Sequence, residues 1–128
     1  MPPKVLIVDD ENAMRLVIRK ALEPLGLSLH FSSDGIHALD ALRCNPGFDL
    51  LITDISMPVV DGRQLIATIR ADKSMAQIPI LITSGVVGVH EIADLLDIGA
   101  TRFVAKPINA ASFREDVTAC LDLAPAAG

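Results

Sequence analysis

The sequence predicts an α/β domain: a doubly wound, five-stranded parallel sheet with five helices. Three observations predict it. Five short apolar runs recur along the 128 residues, and a helical apolar stripe follows each of them. Three of the runs are continuous rather than alternating, which is what strands need when helices cover both faces of a sheet. Strict strand–helix alternation with short connections then demands right-handed crossovers and parallel strands. A chain this long buries most of the apolar surface its unfolded form exposes, so one domain over residues 1–123 is expected. Residues 124–128 (APAAG) read as a flexible tail or the start of a linker. With 51 % hydrophobic but only 3 % aromatic residues, and no Trp or Tyr, the core is expected to be aliphatic layers of Leu, Ile, Val and Ala.

The elements follow in order. The run Val5 to Val8 is the first strand, and Met14, Val17, Ile18, Ala21, Leu22 and Leu25 form a 3.6-residue stripe behind it. Asn12 is the expected N-cap of that helix and Gly26 its closing residue. Leu29 to Phe31 alternates with Ser28 and His30, as a strand at a sheet edge does, and the next stripe is Ile36, Leu39 and Leu42. Leu50 to Ile52 is a continuous run, followed by Leu65, Ile66 and Ile69. Ile78 to Ile82 precedes Ile92, Leu95 and Leu96, a stripe that ends before Gly99. Phe103 to Ala105 is the last strand, and Phe113, Val117, Cys120 and Leu121 mark the last helix.

Composition narrows the function. A net charge of −5 argues against a nucleic-acid surface, because phosphate binding needs clustered Lys and Arg undiluted by acids. Cys44 and Cys120 have neither metal-ligand spacing nor a disulfide framework around them, and both are expected to be buried free thiols. No run approaches the ~18 apolar residues of a membrane span, and the N-terminal MPPK lacks a signal peptide's apolar stretch. The expected setting is cytoplasmic, without membrane or direct nucleic-acid partners.

Ligands of such sheets bind outside the carboxyl ends of the strands. The first strand ends in Asp9, Asp10 and Glu11, the third in Thr53 and Asp54, the fourth in Thr83, Ser84 and Gly85, and the fifth in Lys106 and Pro107. Taken singly, an Asp after a strand is a turn or cap residue, Ser84 a capping hydroxyl and Lys106 a solvated charge. On four strand ends of one parallel sheet they become a site. Three carboxylates about 5 Å apart repel by about 3 kcal/mol per pair at an effective dielectric near 20, more than one lysine offsets. A cation is therefore implied. The hard oxygen ligands, too few for a calcium loop, point to Mg²⁺ or Mn²⁺ that keeps several waters. Beside such an ion and an ammonium, a carboxylate acts as a nucleophile toward phosphorus. Asp54 is the candidate, since it stands alone on a central strand while the adjacent Asp9 and Asp10 look like a metal clamp.

These residues resemble the receiver domain of two-component response regulators. The resemblance covers essentially the whole chain: Lys4 to Asp10 (KVLIVDD), Asp54 to Gly62 (DISMPVVDG), Ser84-Gly85 and Lys106-Pro107. It implies a flavodoxin-like fold with strand order 2-1-3-4-5. It also implies that Asp54 is the phosphoacceptor, taking a phosphoryl group from a phosphohistidine on a sensor histidine kinase or histidine phosphotransfer protein. Asp10 would hold Mg²⁺ directly and Asp9 mainly through water, with Ser56 contributing its backbone carbonyl. Lys106 would pair with a phosphoryl oxygen, aimed by a cis peptide at Pro107. Ser84 would be the switch hydroxyl and Phe103 the switch aromatic, a two-state element biased by phosphate contacts. The face made by the fourth helix, fifth strand and fifth helix would control a downstream target protein or output domain. The chain would be a monomer or a phosphorylation-dependent dimer through that face.

The chain has its own departures from the pattern. Ser84 stands where Thr is commoner, which keeps the hydroxyl but loses a methyl. Phe103 lacks a Tyr hydroxyl. Two glycines between Ser84 and His90 imply a loose start to the fourth helix. Val86, Val87 and Val89 beside them read as a partner-contact patch, and His30, His37 and His90 as surface residues. Two other classes compete. A Mg²⁺-dependent aspartyl-nucleophile phosphatase wants a second acid two residues after the nucleophile, where this chain has Ser56. A flavin or nucleotide carrier wants a phosphate-cradling loop where Asp9, Asp10 and Glu11 stand. The expected role is thus a signalling phosphoacceptor and not a dedicated turnover enzyme.

Overall fold

A computed structural model describes residues 2–85 and 88–122. The elements are β1 (Lys4–Val8), α1 (Asn12–Leu22), a 3₁₀ turn (Glu23–Leu25), β2 (Ser28–Ser32), α2 (Gly35–Cys44), β3 (Leu50–Asp54), α3 (Gly62–Ala71), β4 (Ile80–Ser84), α4 (Val89–Ile98), β5 (Arg102–Ala105) and α5 (Ala110–Asp122). The strands form one parallel sheet in the order β2-β1-β3-β4-β5. This is the expected doubly wound, flavodoxin-like arrangement, with the alternating strand β2 at an edge.

Side chains alternate across the sheet and so build two cores. Val5, Ile7, Leu50, Ile52 and Leu81 face α1 and α5, where they meet Ile18, Leu22, Phe113, Val117 and Cys120. Leu6, Val8, Leu51, Ile80 and Ile82 face α2, α3 and α4, where they meet Ala38, Leu65, Ile66, Ile69 and Leu95. Every residue of β3 and of β4 is buried, which explains their continuous apolar runs. At roughly 1.5–3 kcal/mol per buried Leu, Ile or Val, these two strands fix the sheet before any polar group is counted.

Several boundaries differ from the sequence reading, each for a local reason. Glu11, not Asn12, caps α1; Asn12 is the first helical residue, and its Oδ1 accepts from the Arg15 guanidinium. Pro24 lacks a donor N–H and turns the expected last turn of α1 into the 3₁₀ segment, after which Gly26 closes the chain at φ 65°. Pro79 delays β4 to Ile80, and the chain at Ile78 instead bonds back to Met75. Val17, Ile36 and Leu96, expected on buried stripes, are 45 %, 48 % and 45 % exposed, since each stripe is wider than the strip of sheet it covers. Cys44 is exposed at the end of α2, where the helix leaves the sheet; Cys120 is buried, and burial pushes its thiol pKa up. His30, His37 and His90 are exposed as expected. Val89 is 81 % exposed, whereas Val86, Val87 and the terminal tail lie outside the described residues. Among the described residues no helix is long and apolar enough to cross a membrane.

Candidate functional site at the carboxyl edge of the sheet

The strand ends bring the acids together. Asp9 is fully buried just past β1, Asp54 is the buried last residue of β3, and Asp10 is exposed. One carboxylate oxygen from each lies within 4.8 Å of the others. Lys106, just past β5, reaches across β4 to place Nζ 3.2 Å from Asp9 Oδ2 and 3.4 Å from Asp54 Oδ2. The Lys106–Pro107 peptide is cis.

Backbone donors hold the acids in place. The Ile55 N–H donates to Asp54 Oδ1 at 2.8 Å, and the Glu11 N–H donates to Asp9 Oδ1 at 2.9 Å. Each buried acid thus gives one oxygen to the backbone and turns the other toward Lys106. The Arg15 guanidinium donates to the Asp9 carbonyl and braces the turn from outside.

Electrostatics set the character of the pocket. Burial pushes the Asp54 carboxyl pKa up; Lys106 pulls it down, Asp9 adds to the rise, and the Ile55 N–H opposes it. The net shift is upward, so the pair with Lys106 does not fully offset what burial and the second acid impose. For Lys106, burial lowers the pKa, but the Asp54 and Asp9 charges outweigh it and the net shift is upward. The shift favours the charged ammonium at Lys106 and marks Asp54 as a carboxyl group short of positive partners. A hard divalent cation among Asp9, Asp10 and Asp54 meets that shortage, and an all-oxygen set of this size suits Mg²⁺.

The other predicted residues take separate positions. Ser56 is exposed in the loop that leaves β3. Ser84 is the buried last residue of β4 and, by alternation from Ile82, shares the α2–α3–α4 side of the sheet with the half-buried Phe103. Asp54 and Lys106 lie on the opposite side, continuing the alternation of Ile52 and Val104. Ser84 closes β4 at the acidic edge, where its carbonyl accepts from the Lys106 N–H at 2.8 Å.

Sequence reasoning missed three participants. Arg15 carries no sequence signal beyond its place among the basic residues of α1. Gly62 sits so close to β3 that a Cβ there would lie 2.7 Å from the Asp54 carbonyl oxygen and 2.8 Å from Ile55 Cα; the only signal was a glycine opening a helix. Thr83 pairs with Asp54 in the β3–β4 register; its signal was the tandem Thr83-Ser84 at a strand end, of which only Ser84 was singled out.

The fold and the pocket define a class: a parallel α/β domain with an acidic, lysine-flanked edge suited to phosphoryl chemistry. Residues 5–118 match the family described as response regulator receiver domain, and the chain belongs to that family. It is 33 % identical over 113 residues to chemotaxis protein CheY-3 of Vibrio cholerae, covering 88 % of this chain and 86 % of that one. It is 31 % identical over 119 residues to chemotaxis protein CheY1 of Helicobacter pylori, covering 92 % and 96 %. Among solved structures, the chemotaxis protein CheY4 of Vibrio cholerae superposes with a TM-score of 0.87 at 26 % identity, over 94 % of this chain and 99 % of that one. A putative response regulator from Chloroflexus aurantiacus superposes at 0.89 with 25 % identity, over 95 % and 99 %.

Proposed function

We propose that this chain is a phosphoacceptor signalling module, phosphorylated on Asp54 by a phosphohistidine of a sensor histidine kinase or histidine phosphotransfer protein. One observation carries the reading: a buried carboxylate at the end of a central strand, 3.4 Å from an ammonium and flanked by two further acids. In the transfer, an Asp54 oxygen forms the new bond to phosphorus as the phosphorus–nitrogen bond breaks, and the bonding pair leaves with the imidazole. The Ile55 N–H orients the carboxylate, and Lys106 pairs with an incoming phosphoryl oxygen. Asp9, Asp10, Asp54 and the Ser56 carbonyl would hold Mg²⁺, which when bound neutralises charge between the acids and the phosphoryl group.

The output follows from the other side of the sheet. Ser84 and Phe103 supply the switch, and the α4-β5-α5 face carries its state to a downstream target or output domain. Such a module works in the cytoplasm and assists its own phosphorylation and dephosphorylation without being a turnover enzyme.

Acetyl phosphate with Mg²⁺ is expected to add one phosphoryl group, detected by intact mass, and Asp54→Asn to abolish it. An Asn variant that labels like the parent would sink the assignment. Steady turnover of a phosphate monoester would point to the aspartyl phosphatase class instead.

A further inference from the structure

One buried group has no partner. Thr83 Oγ1 is shut off from solvent and, among the described residues, is the buried side-chain oxygen or nitrogen that makes no hydrogen bond. Its place is specific. Thr83 is the register partner of Asp54 on one side and of Val104 on the other. By alternation from Leu81 it points to the side of the sheet that carries Asp54 and Lys106. The Lys106 side chain, rooted just past β5 and ending at Asp54 on β3, has to cross β4 just beyond Thr83. Thr83 is therefore on the same side of the sheet as Asp54 and one strand spacing, about 4.8 Å, from the strand that carries it.

An unbonded buried hydroxyl is a cost the fold bears, and valine would fill the same space, suit a strand equally and avoid it. In the resting fold, Asp54 Oδ1 is taken by the Ile55 N–H and Oδ2 faces Lys106. At the transition state, with phosphorus partly bonded to one oxygen, the other carboxyl oxygen still carries part of the carboxylate charge, and if Lys106 pairs with the phosphoryl group that oxygen needs another donor.

We infer that Thr83 is that donor: its hydroxyl bonds to the Asp54 carboxyl during phosphoryl transfer, stays protonated throughout, and has no bond in the resting state. The phosphorus–oxygen bond to Asp54 forms as the bond to the phosphodonor breaks; in hydrolysis a water oxygen bonds to phosphorus as the Asp54 oxygen–phosphorus bond breaks, the bonding pair returns to the carboxylate and the water proton passes to solvent. A contact made most strongly at the transition state speeds both steps. This inference rests on the phosphoacceptor reading above.

The test compares Thr83→Val and Thr83→Ser with the parent. Val is expected to slow phosphorylation by acetyl phosphate and hydrolysis of the phosphorylated protein alike, each by roughly fivefold, the worth of one ordinary hydrogen bond. In the same variant the unphosphorylated protein is expected to melt a few degrees higher, because the unpaired hydroxyl is gone. Ser is expected to restore both rates. Rates within twofold of the parent in the Val variant would overturn the inference, and so would a lowered melting temperature, which would mean the hydroxyl is already bonded at rest. Either result leaves the Asp54 assignment standing; only unchanged labelling of Asp54→Asn removes that.

Discussion

Helices α3 and α4 both follow strands that end at the acidic edge, yet they start in opposite ways. At α3, Asp61 accepts from the Gln64 N–H at 2.9 Å while Gln64 accepts from the Asp61 N–H at 3.0 Å, a reciprocal capping box. Gly62 then packs directly on the Asp54 backbone. At α4 the cap is Gly88, which has no side chain to offer, and the next residue, Val89, is 81 % exposed. The far end of α4 is the reverse: its C-terminal Gly99 carbonyl accepts from both Nε and Nη2 of Arg70 on α3, at 3.0 and 2.8 Å. The strand that ends in Asp54 is thus locked to the helix after it, while α4 is pinned at its distal end and starts at Gly88 without a side-chain cap. On the proposed function, the first start would hold a nucleophile in place and the second would leave a responding helix free to move.

The sharpest way to break this contrast is Gly62→Ala. A methyl 2.7 Å from the Asp54 carbonyl oxygen forces α3 away from β3. Urea unfolding is expected to show a loss of about 3 kcal/mol, with phosphorylation slowed because Asp54 and Ile55 move together. The control is Gly88→Ala, where a Cβ meets nothing within 4 Å, and no loss is expected. Equal losses at both glycines would abolish the distinction.

Arg70→Met tests the pinned end of α4. Besides Gly99, the guanidinium bonds the Ala76 and Ile78 carbonyls at 2.8 and 2.6 Å, so one half-buried cation ties three backbone segments with no carboxylate among these partners. Burial lowers its pKa, but arginine stays charged in proteins at any ordinary pH. The expected loss is about 2 kcal/mol by urea unfolding, with faster amide exchange at Gly99 and Ala100, whose N–H groups bond Leu96 and Leu95. Unchanged exchange there would show that α4 needs no such anchor.

Asp61→Ala removes the α3 capping box while sparing the Gly62 contact. A loss of about 1 kcal/mol is expected, without the slower phosphorylation of Gly62→Ala, since the close approach to Asp54 is kept. Slowed labelling in this variant would mean that the cap, and not the packing, positions the acid.

How much of this the sequence carried depends on how local each cause is. Periodicity located all five strands because β3 and β4 are buried throughout and β2 alternates, and the residues that end those strands, Asp9, Asp54 and Lys106, converge as parallel order demands. The Arg70 anchor was not legible: its partner Gly99 lies 29 residues away, and nothing in either segment announces the other. Gly62 was visible only as a glycine, since its role depends on how closely α3 settles on β3. Thr83 needed the register of β4 against β3, because a shift of one residue would exchange its face with that of Ser84. Cys44 was misplaced because a helical stripe does not state where the helix leaves the sheet.

The smallest expected effect has the opposite sign. Gly88 has extended backbone, φ −74° and ψ 161°, which any residue adopts at an N-cap, and its Cβ position is open. Gly88→Ser gives α4 the hydroxyl cap it lacks and narrows the unfolded ensemble, so stability should rise by about 0.5 kcal/mol with the urea slope unchanged. The gain belongs to the first turn, so amide exchange at His90 and Glu91 should slow while α3 is unaffected. On the proposed function, a helix made to hold its start in the resting state would have less freedom to rearrange when Asp54 is phosphorylated. The Ser variant should therefore show a smaller change in exchange at α4 on phosphorylation than the parent does. If the two changes are equal, the open cap is incidental and the asymmetry between the helices has no part in signalling.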